Sequence, residues 1–194
     1  PALAEQRTAA HPFILCGGPL TNSNPLPLAP FADAIVMGEA DQVIHKVLDC
    51  LFNASGRDAA LTQLKELCFV PSLHGDALPP IQQADDALLP AWAPIRTPHT
   101  ELSDMFLMEA ERGCSRGCQY CVMRRSTNGG MRIVPAERIL STVPDDAHKV
   151  GLVGAAVSDH PKIVQIIETL LRRTTCIGCD IDQGLAVDCN GNGL

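Results

Sequence analysis

Three cysteines fall within eight residues, Cys114-Ser115-Arg116-Gly117-Cys118-Gln119-Tyr120-Cys121, shortly after the apolar run Met105-Phe106-Leu107-Met108. The run predicts a buried strand, so the cysteines lie on a loop that leaves a strand end. Gly113 and Gly117 let that loop close tightly on whatever its thiolates bind. Three thiolates on so short a loop can hold three irons of a cubane cluster, while the fourth iron stays open to a substrate or cofactor. Zinc is the alternative, completed by a fourth Cys or by His148 or His160. A disulfide reading leaves one of the three cysteines unpaired.

The chain as a whole is acidic, with a formal charge of -7, which argues against general affinity for a polyanion such as nucleic acid. Around the cysteines the balance reverses. Between residues 111 and 138, Arg112, Arg116, Arg124, Arg125, Arg132 and Arg138 face only Glu111 and Glu137, a local +4. Such arginines favour thiolate over thiol and temper the negative charge of a cluster. No window approaches the roughly 18 apolar residues of a membrane span, and the amino terminus lacks the order of a signal peptide. The expected compartment is therefore the cytoplasm, where the nine cysteines serve as thiols or metal ligands.

Elsewhere the pattern alternates between strands and helices. Pro1 to Ala10 is Ala-rich and reads as a short helix ended by Pro12. Phe13 to Cys16 and Ala34 to Met37 read as buried parallel strands, each running into a glycine turn, Gly17-Gly18-Pro19 and Gly38-Glu39. Val43, Ile44, Val47, Leu48, Leu51 and Phe52 recur at helical spacing, and Leu61, Leu64 and Leu67 continue as a shorter helix. Six prolines from Pro71 to Pro98 mark a linker. Beyond the cysteine loop, Pro135 opens a helix, Val150 to Val157 is a strand, and Pro161 starts a second helix whose stripe is Ile163, Ile166, Ile167, Leu170 and Leu171. Arg172 and Arg173 suit its carboxyl end. Ser158-Asp159-His160-Pro161 reads best as the start of that helix. The expected fold class is thus α/β with parallel strands.

Residues 174–194 carry Cys176, Cys179 and Cys189 but no apolar period, and read as an irregular tail joined at about residue 174. The pair Cys176 and Cys179 could serve a further cluster or zinc. Asp188-Cys189-Asn190-Gly191-Asn192-Gly193 resembles the opening of a calcium loop.

The cysteine spacing, with Tyr120 before the last cysteine, resembles that of the radical S-adenosylmethionine enzymes. The resemblance implies a [4Fe-4S] cluster on Cys114, Cys118 and Cys121 whose open iron chelates S-adenosylmethionine, and reductive cleavage of that cosubstrate to a 5'-deoxyadenosyl radical. It also implies an electron donor such as flavodoxin or ferredoxin. The Tyr120 backbone would lie near the adenine. Val153-Gly154-Ala155-Ala156 stands where the family binds the methionine amino group, so Gly154 and Ala155 are candidate cosubstrate contacts, without the usual Gly-Gly-Glu. Cys16-Gly17-Gly18-Pro19 and Phe31 to Glu39 resemble the end of the Rossmann-like cobalamin-binding domain that precedes the barrel in one subgroup. Gly17 and Gly18 are then candidate cobalamin contacts. The histidine motif that coordinates cobalt in such domains has no counterpart here.

The resulting organisation is 1–70 as the end of a cobalamin-binding-like domain, 71–100 as a proline-rich linker, 101–173 as the first β/α units of a partial β/α barrel, and 174–194 as the tail. A barrel alone takes roughly 200 residues or more, so 194 residues are expected to hold both domains only in part. Two further readings follow: a structural zinc- or cluster-binding module without catalysis, or a chain that binds a cluster without turnover.

Overall fold

Two short apolar strands, Leu15–Cys16 (β1) and Ala34–Ile35 (β2), pair in parallel, with Leu15 opposite Ala34 and Cys16 opposite Ile35. In the computed structural model, which describes residues 1–22, 24–121 and 130–179, they begin the first of two compact units. That unit holds Pro1–Leu88 and the described part of Cys118–Asn128; the second holds Leu89–Gly117 and the described part of Gly129–Leu194.

In the first unit, Ala40–Asn53 (α1) and Arg57–Leu64 (α2) cover the strands. Val43, Val47 and Leu64 are buried with Ala34, Val36, Cys68 and Val70. The α1 stripe is narrower than its periodicity predicts, because Leu48 and Phe52 point outward, Phe52 being 82% exposed. The amino-terminal helix is also absent. Ala4–Gln6 makes a single 3-10 turn, and the segment is held instead by the buried Asp33 carboxylate. Asp33 accepts the Ile14 N–H at 2.7 Å and faces the Arg7 guanidinium at 3.2 Å and that of Arg57 at 2.5 Å. Breaking such a buried ion group by removing one partner costs about 3–5 kcal/mol.

A short helix, Pro71–His74 (α3), follows the last strand-like residues. The proline-rich stretch after it is not a free linker. Gln82 bridges to Gly38, donating its N–H to Met37 at 2.8 Å and accepting the Glu39 N–H at 2.9 Å. Gly38 has a φ of +104°, and a Cβ there would lie 2.2 Å from the Gln82 carbonyl oxygen. From Leu89 onward the stretch belongs to the second unit. Trp92 bridges antiparallel to Met108, with Ala93 and Ala91 bonded to Leu107 and Glu109. Single bridges like these carry no hydrophobic period, so the residues read as a linker in the sequence.

The second unit is built on Met105–Glu109 (β3), Lys149–Val153 (β6) and Cys176–Cys179 (β7), a parallel sheet with β6 in the middle. A two-stranded antiparallel pair, Glu111–Arg112 (β4) and Arg132–Ile133 (β5), lies between the first two in sequence. Ala136–Thr142 (α4) and Ile163–Leu171 (α5) make the crossovers, giving the order β3-α4-β6-α5-β7. Phe106, Met108, Val150, Leu152 and Ile177 on the sheet pack against Ile139, Val143, Ile166 and Leu170 from the helices. Truncating one of these buried Ile or Leu side chains to Ala costs about 2–5 kcal/mol. On the sheet's other face the glycines leave room for the Leu107 and Met105 side chains. A Cβ on Gly151 would lie 2.5 Å from Leu107 Cδ2, and one on Gly178 3.2 Å from Met105 Cε.

Three expectations change here. Residues 176–179, read as part of the tail, form the third parallel strand, in register from Lys149–Cys176 to Leu152–Cys179. A four-residue strand with a central Gly178 is too short for a periodicity test. Leu171 is 56% exposed rather than part of the stripe. Arg173 does not cap its own helix but donates to the Leu140 carbonyl of α4 at 3.0 Å and pairs with Asp145 at 3.1 Å. Residues 188–193, the calcium-like stretch, lie outside the described residues. No helix among the described residues is long and apolar enough to cross a membrane.

Cys68 is 1% exposed, and burial, reinforced by the neighbouring Cys50, pushes its thiol up to about 12. In the native, metal-free chain at pH 8, iodoacetamide should therefore alkylate Cys114, Cys118 and Cys121 and spare Cys68 until denaturant is added. Peptide mapping that finds Cys68 labelled as fast as Cys114 contradicts this packing.

Candidate functional site

The cysteine loop leaves the sheet at the carboxyl end of β3. Its neck is closed by the β4–β5 pair, with Glu111 opposite Ile133 and Arg112 opposite Arg132. The sequence predicts a loop over this whole stretch, because two-residue strands carry no period. Gly113 and Gly130 both adopt positive φ, +93° and +119°, so each side of the neck bends through a conformation that favours glycine. Beyond it, Cys114 Sγ accepts the Arg116 backbone N–H at 3.3 Å, and the Cys121 N–H is bonded to the Cys118 carbonyl at 3.3 Å. All three are half-buried free thiols. Tyr120 is 89% exposed. Cys114 is counted with the second unit and Cys118 and Cys121 with the first. Among the described residues no group of three or more His, Cys, Asp or Glu is gathered as for a metal ion.

At the carboxyl end of β6 lies the small-residue turn. The strand stops at Val153, Gly154 follows, Ala155 and Ala156 form a turn, and a 3-10 turn over Val157–Asp159 leads into α5. The turn rests on Glu111, in the Glu111-Arg112-Gly113-Cys114 approach to the loop. Glu111 is 1% exposed; its Oε1 accepts the Ala156 N–H at 2.8 Å, and its Oε2 has no hydrogen-bond partner among the described residues. A Cβ on Gly154 would lie 2.3 Å from that Oε1. Gly154 is thus explained by close approach to a carboxylate. Loss of hydration pushes the Glu111 carboxyl up, the Ala156 N–H pulls it back, and the nearby Glu109 charge pushes it up again. The one available signal was position: a glutamate three residues before the first cysteine, at a strand end.

A second tie runs the other way. Arg116, between the first two cysteines, pairs with Asp159 at 3.1 Å, while Arg112 makes a two-pronged contact with Glu109 at 3.0 and 2.8 Å. Arg112 and Arg116 are therefore engaged by carboxylates of the chain itself. Arg124 and Arg125 lie outside the described residues.

The two histidines that could complete a zinc site are poorly placed for it. His160 is buried, with Nε2 on the Val134 carbonyl at 2.9 Å and Nδ1 accepting the Lys162 N–H at 3.1 Å, so both ring nitrogens are used. His148 precedes the first residue of β6 and stands at the opposite end of the sheet from the loop, about 16 Å away at 3.3 Å per strand residue. Of the two candidate cobalamin glycines, Gly18 has a local explanation and Gly17 does not. Gly18 has a φ of +101°, and the buried Thr21 hydroxyl ties that turn to β2 through the Gly18 and Val36 carbonyls at 2.7 and 3.1 Å. A Cβ on Gly17 would make only ordinary contact with Val36.

The loop's chemistry is that of thiolate ligands: three half-buried thiols in no disulfide, with a backbone N–H directed at one sulfur, are the donor type an iron-sulfur cluster takes. Residues 1–71 match the family model for the N-terminal region of radical SAM proteins. The match covers 71 of the chain's 194 residues and lies wholly outside the cysteine loop. Radical SAM proteins in general use S-adenosylmethionine and an iron-sulfur cluster. An uncharacterized protein of Methanocaldococcus jannaschii is 26% identical over 172 residues, covering 81% of this chain and 35% of its own length. The chain therefore spans about a third of that curated relative. No solved structure matches the chain.

Glu111 gives a pH signature. Because its folded pKa is raised, the folded state holds the proton more tightly than the unfolded chain, and stability falls as pH rises through the folded pKa. Urea unfolding of the metal-free chain should show wild type losing stability relative to Glu111→Gln as pH climbs above the ordinary carboxylate range. A difference between the two that stays constant with pH contradicts the burial of this carboxyl.

Proposed function

We propose that this chain carries the cofactor-binding part of a radical S-adenosylmethionine enzyme: Cys114, Cys118 and Cys121 hold a [4Fe-4S] cluster, and the Gly154-Ala155 turn with the Tyr120 backbone takes S-adenosylmethionine. The observation that carries this reading is the placement of a three-cysteine loop at the carboxyl end of β3 and of a small-residue turn at the carboxyl end of its parallel neighbour β6. Ligands of parallel α/β sheets bind at that edge. The β3-α4-β6-α5-β7 order supports the opening of a β/α barrel, whose functional groups gather at the same ends.

When bound, such a cluster supplies one electron for cleaving the sulfonium into methionine and a 5'-deoxyadenosyl radical. The chain's own residues hold and orient. The β4–β5 neck fixes where the loop emerges, Arg116 supplies an N–H to a cysteine sulfur, and Glu111 supports the turn. A reduced one-electron carrier of the flavodoxin or ferredoxin kind would supply the electron. Cobalamin binding by the first unit has weaker support, since Gly18 is explained by its own turn and Gly38 by the backbone of Gln82. The zinc alternative would need a fourth ligand other than His148 or His160.

Anaerobic reconstitution with iron and sulfide should load about four irons per chain, and replacing any one of Cys114, Cys118 or Cys121 with Ala should abolish loading. After reduction, the loaded chain should release 5'-deoxyadenosine from S-adenosylmethionine. Stoichiometric zinc with no iron uptake overturns the cluster; a loaded cluster that never yields 5'-deoxyadenosine removes the catalytic part and leaves a binding module.

A further inference from the structure

Glu111 is more than a filler of the β4 strand. Its carboxyl is buried, with Oε1 accepting the Ala156 N–H and Oε2 without a hydrogen-bond partner among the described residues. The contact joins two places far apart in sequence. Glu111 begins the arm that leads into the cysteine loop, and Ala156 ends the turn after β6. Between them the Ala110 N–H is bonded to the Val153 carbonyl at 3.1 Å, so the main chain carries the same junction. Gly154 shows how close the fit is, since any Cβ would strike Glu111 Oε1. The other tie, Arg116 to Asp159, is partly exposed on both sides and holds far less firmly.

We propose that Glu111 is a positioning residue for the cosubstrate site: its side chain clamps the Gly154–Ala156 turn to the root of the cysteine loop. The inference rests on the reading above, in which the loop carries the cluster and the turn faces S-adenosylmethionine. It adds that the affinity of the cosubstrate depends on a residue that needs no contact with the cluster. The backbone groups of a turn that can move relative to the loop meet the bound molecule less often in the productive arrangement, and affinity falls by that fraction.

The test uses the full chain, reconstituted anaerobically, with three readouts: iron content, S-adenosylmethionine affinity from its effect on the EPR signal of the reduced cluster, and hydrogen exchange of the peptide containing Ala156. Glu111→Ala should load iron like wild type, bind S-adenosylmethionine at least about tenfold more weakly, as expected for loss of a hydrogen bond to a charged group, and exchange faster at Ala156. Glu111→Gln, which keeps an oxygen for the Ala156 N–H, should restore affinity to within about threefold of wild type. Gly154→Ala reaches the same clamp with Glu111 intact and should weaken affinity similarly, adding little in the double variant; it serves also if Glu111→Ala does not fold. If Glu111→Ala, or Gly154→Ala where the former does not fold, binds S-adenosylmethionine as tightly as wild type, the proposal is overturned while the cluster assignment stands. Wild-type chain that loads no iron overturns the underlying reading, and the positioning role with it.

Discussion

The parallel ladder between β3 and β6 is the constraint from which the second unit follows. Its five-residue register, from Met105–Lys149 to Glu109–Val153, brings the two strands to an end at the same level. The arm into the cysteine loop and the turn at Gly154 therefore emerge side by side. Everything of chemical interest depends on that alignment. A slip of one residue would turn Phe106 and Met108 from the core and send their neighbours inward, and it would carry Glu111 away from Ala156. The helix-facing core of Val150, Leu152, Ile166 and Leu170 makes such a slip costly, so the apolar packing sets the position of a polar site.

Charge at this edge is organised locally rather than by the overall balance. The local +4 reads from sequence as a reservoir of cations for a cluster. In the folded chain Arg112 faces Glu109 and Arg116 faces Asp159. Those pairs orient the loop before any cofactor arrives, and they leave the backbone N–H on Cys114 Sγ as the nearest favourable dipole shown for a thiolate. Glu111 is the opposite case. Its carboxyl is held against its hydration preference by the fold, which is how strained groups come to sit at functional edges.

How much of this was legible in the sequence depends on the length of each element. The α1 and α5 stripes and the β3 run were readable because four or more apolar positions repeat at one period, as Val43, Val47, Ile166 and Leu170 show. The β4–β5 neck and β7 were not, since two to four residues carry no period. The docked segment around Gln82 was missed for the same reason, and its prolines favoured a linker. At the site, the cysteine spacing and the Glu111-Arg112-Gly113-Cys114 approach are legible, whereas the Glu111 contact with Ala156 follows only from the register. Glycines carry a second message: Gly18 and Gly38 adopt positive φ, and Gly154 lies close against the Glu111 carboxyl, so each has a role in the fold that sequence alone does not separate from a ligand contact.

The central claim is that the loop at Cys114, Cys118 and Cys121 holds a cluster with one iron left for S-adenosylmethionine. Mössbauer spectroscopy of the chain reconstituted with iron-57 tests it most directly, because it resolves irons by their ligands. The account predicts that adding S-adenosylmethionine shifts one iron of the cubane and leaves the other three unchanged. A spectrum in which all four irons stay equivalent with and without the cosubstrate would contradict it.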